Sequence, residues 1–298
     1  MPPARIVAAL CALASLAGER AARADDPVTS PIELHHDLRV DLPATAALAT
    51  VVVGFRLLRD DLEPSTCRWC DGAAPGKVNA IDDWFRTGLK RNDTRPANIT
   101  SYALAFGAVP VSAGVLTVLA AVADNRGDEA LVDLVAVTEG GLSAMLVTEV
   151  LESVTLRTRP YVHAIANDEE RAGVIAQTGA FHSFPAGHVV EAFGVAAASG
   201  VVASMRGYRL APLVWAAGLV LGVATAYTRI AAVRHYFTDT LAGAAIGTVV
   251  GGAVPLVFHA PTRGDAGADG APRSGLARPA IAAMPIPRGQ MVSVGWLF

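Results

Sequence analysis

Apolar and polar positions along the chain fall into long blocks rather than a short-period alternation. Residues 101–123, 130–151, 189–205, 210–227 and 236–258 are predominantly apolar and are separated by polar connections. A helix needs roughly 20 residues to cross a bilayer core, so these blocks predict membrane-spanning helices. Residues 43–58 are apolar but short for a span, and are expected to dip into the bilayer or lie along it. Asp133, Glu139 and Glu149 interrupt the second block, and Glu191 lies near the start of the third. Carboxylates at membrane depth are costly and face protein or water, so these helices are expected to bury them inside a bundle. The blocks are rich in Ala, Gly, Ser and Thr, which let membrane helices approach closely. The predicted fold class is all-α, a multi-span membrane helical bundle of five to six helices. A soluble bundle with an unusually apolar core is the alternative, and the near absence of charge from three blocks speaks against it.

The flanks read differently. Arg5, an apolar run over residues 6–18 and Ala22-Arg23-Ala24 before Asp25 fit a secretory signal peptide over 1–24. That addresses the chain to an export machinery and points to a bacterial envelope. Residues 25–97 form a polar N-terminal segment around the short apolar helix, and 98–258 form the membrane-embedded domain. Residues 259–298 read as a flexible tail, rich in Pro, Gly, Ala and charge up to Arg288. Within its end, Val292, Val294, Trp296 and Phe298 alternate like the closing strand of an outer-membrane barrel, although no barrel precedes them.

Composition narrows the chemistry. The 298 residues are 52% hydrophobic and 17% charged, with a formal net charge of −3, so there is no basic footprint for nucleic acid. Lys occurs only as Lys77 and Lys90, while Arg is abundant. Cys67 and Cys70 form a single CxxC, readable as a disulfide or as half of a metal site. No second CxxC or His pair accompanies it, which speaks against zinc.

Three segments carry candidate chemistry. The first is Arg157-Thr158-Arg159-Pro160. The second is Ser183-Phe184-Pro185-Ala186-Gly187-His188, opening a helix. The third runs from Thr228-Arg229 through His235 to Asp239. His235 and Asp239 are spaced i, i+4, which on a helix puts them on one face. Asp239 would then fix the imidazole tautomer and leave the other nitrogen of His235 free to attack. Arg229 and Arg159 can hold an anion by paired hydrogen bonds. Gly187 lets a helix N-terminus approach a phosphate, and His188 can protonate a leaving alkoxide. Phosphoryl transfer requires chiefly such positioning and charge neutralisation.

The order and spacing of these segments resemble the type 2 phosphatidic acid phosphatase superfamily, which also contains bacterial acid phosphatases and vanadium haloperoxidases. Its pattern reads Lys-x6-Arg-Pro, Pro-Ser-Gly-His and Ser-Arg-x5-His-x3-Asp, and the resemblance covers roughly residues 100–258. It implies a lipid phosphate monoester or pyrophosphate as substrate, hydrolysed at one membrane face through a phosphohistidine. It also implies phosphate contacts from Arg159, Arg229 and the Gly187 N–H, with His188 as acid, His235 as nucleophile and Asp239 as its orienting group. No cofactor or metal is implied. Three positions depart from the pattern: Glu152 stands for the Lys, Ala186 for the Ser of the second motif, and Thr228 for the Ser of the third. Thr228 keeps the hydroxyl. Arg157 is the candidate to replace the missing cation and to pair with Glu152.

The opposite connection contains Arg206 and Arg209, and the tail adds further arginines. By the positive-inside rule, that side is expected to be cytoplasmic, with the site facing the periplasm from the inner membrane. The expected partners are a lipid phosphate and the surrounding lipid. Two other readings remain open here: a vanadium haloperoxidase, and a relative that binds phosphate but has lost catalysis through Glu152 and Ala186.

Overall fold

The computed structural model describes residues 32–62, 66–70, 78–163, 165, 167–176, 179–261, 278–286 and 289–297. The expected signal peptide lies outside the described residues. The chain divides into two units, 1–262 and 263–298.

In the first unit, α1 is Leu38–Leu62 and α2 is a short amphipathic helix, Ala80–Leu89. One continuous rod follows, made of α3 (Arg95–Ala103), a π-helical turn (Leu104–Ala108) and α4 (Val109–Ala123). Then come α5 (Ala130–Thr155), the short α6 (Pro160–His163) and α7 (Asp168–Ile175), and three long helices: α8 (Gly187–Met205), α9 (Ala211–Ala231) and α10 (Phe237–Phe258). Six helices are long and apolar enough to cross a membrane. The five apolar blocks therefore became helices as expected. The block at 43–58 is a correction: it belongs to a 25-residue helix, because the chain stays helical through the polar residues on both sides of it. Its Pro43 is the sixth helical residue and removes one i→i−4 bond from the second turn.

Helix α8 is the hub. It packs on α10, α9, α5 and α4, and its apolar window is 78% buried, against 6% for α1. Glycine makes the α8–α10 approach possible. A Cβ at Gly251 would collide with the Gly194 carbonyl, and one at Gly247 with that of Val190. Asp133, Glu139 and Glu149 are paired, whereas Glu191 is buried with its Oε2 without a partner among the described residues. Asp133 accepts from Arg206 Nε at 2.7 Å and from the Tyr208 hydroxyl at 2.6 Å. Glu139 meets His259 Nε2 at 2.8 Å and the Thr45 hydroxyl at 2.8 Å. Glu149 receives Arg56 and Arg59 from α1.

Helices α1, α5 and α9 end, and the α3–α4 rod, α8 and α10 begin, at one end of the bundle, where all three candidate segments meet. At the other end, Leu34 bridges to Pro261 and His35 N–H bonds the Ala260 carbonyl at 3.1 Å. Cys67 and Cys70 are disulfide-bonded, which resolves the open choice between disulfide and half metal site.

The second unit contains β1 (Arg278–Ile286) and β2 (Gly289–Leu297), an antiparallel pair with Arg278 opposite Leu297 and Ile286 opposite Gly289. The alternating run at Val292, Val294 and Trp296 falls in β2. The sequence had assigned the stretch before it no regular structure.

Candidate active site

His235 lies in the turn between α9 and α10, two residues before α10 begins. It is buried, at 2% exposure. Its Nδ1 lies 2.8 Å from the Ser183 carbonyl, an acceptor only, so Nδ1 carries the proton. Nε2 is left with its lone pair, directed at the Arg229 guanidinium 3.1 Å away. Burial pushes the imidazole well below its usual pKa of 6.5, and the Arg159 and Arg229 charges push it further; the bond to Ser183 opposes them. His235 is therefore a neutral base with one defined tautomer.

Arg229 is at the last turn of α9 and 1% exposed. Its other hydrogen bonds go to Asn98 Oδ1 at 3.1 Å and the Ser101 hydroxyl at 2.9 Å, both on α3, with the Tyr102 ring 5.8 Å away. Its Nε has no partner among the described residues. Among the described residues no carboxylate pairs with it. A buried cation held only by neutral groups is costly unless an anion completes its surroundings. Arg159 resembles it: its Nε is buried without a partner and no carboxylate lies in ion-pair contact among the described residues. Burial lowers its pKa first; Glu152 nearby raises it, and the Arg234 charge lowers it again.

His188, on the first turn of α8, stands edge-on to Tyr102 at 4.4 Å and Phe106 at 5.0 Å. Its Nε2 is buried without a hydrogen-bond partner among the described residues, and it is close enough to contribute to the field at His235. Tyr102 thus flanks both His188 and Arg229. Phe106 sits in the π-helical turn, a local widening that recurs at functional sites. Gly187 opens α8, and a Cβ there would press on Glu152 Oε1 at 3.2 Å and Thr148 at 3.3 Å. The structure therefore brings together His235, His188, Arg229, Arg159 and Gly187.

Three candidates lie elsewhere. Asp239 does not touch His235. It is the third residue of α10, and its Oδ2 accepts from the Tyr236 N–H at 2.9 Å and the Ser183 hydroxyl at 2.6 Å, while Oδ1 pairs with Arg157 at 2.5 Å. The i, i+4 argument fails because His235 precedes the helix, and Asp239 caps the helix N-terminus instead. It acts on His235 only through Ser183, whose carbonyl holds the ring. Arg157 is not a free phosphate contact. It is fully buried between Asp82 (3.1 Å) and Asp239, with Trp69 and Tyr236 rings 4.2 and 4.3 Å from its guanidinium carbon. Nor does it pair with Glu152, which takes Arg59 of α1 at 2.9 Å. Thr228 donates its hydroxyl to the Thr225 carbonyl at 2.8 Å, a bond within its own helix.

Residues the motifs did not point to complete the cluster: Asn98, Ser101 and Tyr102 of α3, Arg56 and Arg59 of α1, and Asp82 of α2. The first three fell in or beside a block read only as a span. A signal existed for the two arginines, since Glu149 and Glu152 in an apolar helix require cations, and Arg56 and Arg59 are spaced i, i+3 on the neighbouring apolar helix.

Six helices long and apolar enough to cross a membrane carry at one end a buried cluster of imidazoles and of guanidiniums without a carboxylate partner among the described residues. Residues 133–263 match the family model of the PAP2 superfamily. That match is consistent with a member of this superfamily and supports phosphoric ester hydrolysis as the general activity. No curated protein and no solved structure matches the chain.

Proposed function

We propose that this protein hydrolyses a lipid phosphate through a phosphohistidine on His235. The observation that carries the reading is Arg229: a buried guanidinium without a carboxylate partner among the described residues, bonded to the lone-pair nitrogen of a neutral, oriented imidazole. A phosphoryl oxygen takes the Arg229 N–H in place of His235, which neutralises the phosphate and frees Nε2 in one exchange. Arg159 and the N–H groups opening α8 at Gly187 hold the remaining oxygens. Nε2 of His235 then forms the P–N bond in line as the P–O bond to the lipid breaks, and His188 protonates the departing alkoxide. Water next attacks phosphorus, His188 accepting its proton, and the P–N bond breaks to release inorganic phosphate.

A lipid as substrate is favoured by the setting, since the cluster sits at the ends of apolar helices where a phosphate head group would lie. The Cys67–Cys70 disulfide, at the same end, favours an oxidising compartment, so we take the site to face outward from a bacterial inner membrane. The test is phosphate release from a lipid monophosphate in detergent micelles. Parent protein should turn over, and His235→Ala should lose turnover and the acid-labile phosphoryl label. Equal rates in the two proteins would refute the reading.

A further inference from the structure

One turn beyond His188 on α8 stands a carboxylate that neither the packing nor the steps above employ. Glu191 is 6% exposed, and its Oε2 is buried without a hydrogen-bond partner among the described residues. A carboxylate at membrane depth is costly unless a cation or a donor meets it. Asp133, Glu139 and Glu149 each have such a group. Arg56 of α1 is near enough for its charge to act on Glu191 and on His188 alike. Its Nε is committed to Glu149 at 2.7 Å, and its guanidinium carbon lies 5.5 Å from the Phe106 ring centroid. His188 shares that neighbourhood, edge-on to Phe106, with its Nε2 also without a partner among the described residues. Glu191 follows His188 by three residues, so the two occupy one face of α8. Helical side chains lean toward the N-terminus of their helix, which carries the Glu191 carboxyl back over the turn that bears His188.

We infer that Glu191 is a positioning residue for the acid step: its carboxylate takes the Nδ1–H of the His188 imidazolium and turns Nε2–H toward the leaving oxygen. The inference rests on the function proposed above and adds a residue that the three motif segments do not contain. His188 works among cations, since the charges of Arg229, Arg159 and Arg56 all reach it. An imidazolium there needs a compensating anion, and Glu191 offers one from the same face of α8. As the P–O bond breaks, its electron pair stays on the lipid oxygen. The Nε2–H bond of His188 breaks, and its proton forms the O–H bond of the departing alcohol. His188 is then neutral and keeps its Nδ1–H on Glu191. The water that later attacks phosphorus returns a proton to Nε2 and restores the imidazolium.

The experiment compares kcat/KM for dodecyl phosphate, whose alkoxide must be protonated as it leaves, with kcat/KM for p-nitrophenyl phosphate, whose phenolate leaves unaided. Both are measured in the same detergent micelles for the parent, Glu191→Gln and Glu191→Asp. This parameter covers the steps through P–N bond formation, so the later hydrolysis common to both substrates does not mask a difference. General acid catalysis contributes about 10²–10⁴-fold, and loss of its positioning should lower the alkyl-to-aryl ratio by about ten- to a hundredfold in Glu191→Gln. Glu191→Asp keeps the charge on a shorter stem and should recover part of the ratio. A purely structural Glu191 would move both substrates together, so a ratio that stays at the parent value in Glu191→Gln overturns the inference. If Glu191→Gln does not fold, Glu191→Asp decides: a lowered ratio supports the inference and an unchanged one overturns it. A parent that hydrolyses neither compound, or equals His235→Ala, overturns the proposed function itself.

Discussion

Arg157 and Arg229 are both buried guanidiniums, and their partners give them opposite duties. Arg157 is neutralised by Asp82 and Asp239; Arg229 meets only neutral groups among the described residues. Removing one member of a buried ion pair costs about 3–5 kcal/mol. Arg157→Ala should therefore lower the thermal unfolding midpoint sharply, and an unchanged midpoint would show that the two carboxylates do not depend on it. Arg229→Met should leave the fold standing and reduce kcat/KM by about a hundredfold or more, since a charge-assisted hydrogen bond contributes about 1.5–3 kcal/mol. His235 carries a pH signature. Its folded pKa is depressed below 6.5, so its contribution to stability is fully present above that value. The contribution is lost as pH falls through the unfolded pKa toward the folded one, at up to about 1.4 kcal/mol per pH unit. Unfolding midpoints measured from pH 7 down to 5 should fall less steeply in His235→Asn than in the parent. The residue identities in the three motifs were legible; the bond from Asp239 was not. Spacing assigned it to His235, but the helix begins after His235, and a carboxylate at the third helical position meets the free N–H groups of the helix end.

Helix α1 contributes to the site although it lies outside the matched segment. Its Arg56 and Arg59 reach Glu149, and Arg59 also reaches Glu152. Glu152 is thereby compensated by a cation from another helix, which explains how a carboxylate is tolerated where the family pattern has Lys. Substituting Glu152→Lys should accordingly lower activity rather than raise it, because the new cation would face Arg59. Arg59→Glu with Glu152→Lys should recover part of the loss; recovery by Glu152→Lys alone would show that the site simply lacks its Lys. The long apolar blocks were legible because each satisfies bilayer length and charge at once. Helix α1 was underestimated because its apolar run is shorter than the helix, and its flanking arginines find buried carboxylates that a one-dimensional pattern does not show. The short helix α2 was not anticipated: its Asp82 bonds Thr238 N–H and hydroxyl, each at 2.8 Å, across 156 residues of sequence.

The first unit threads the bundle so that its described N-terminal residues and the end of α10 share one end, while the disulfide and the candidate cluster share the other. A leader cleaved after Ala24 would deliver the N-terminal end to the outer side and turn the cluster inward. An outward cluster with an oxidised Cys67–Cys70 pair requires the reverse. The two expectations exclude each other, and the disulfide favours the second. Thiol labelling of intact cells without reductant should then leave Cys67 and Cys70 unmodified and disulfide-linked, and ready labelling of both would place them in a reducing compartment. The account as a whole depends on a phosphate that Arg229 holds and His235 attacks. The most direct measurement is alkaline quench of the parent during turnover of a lipid substrate labelled at phosphorus. The account predicts a base-stable, acid-labile phosphoryl group on His235, absent from His235→Ala. Steady turnover with no label on His235, or turnover persisting in that variant, would contradict it.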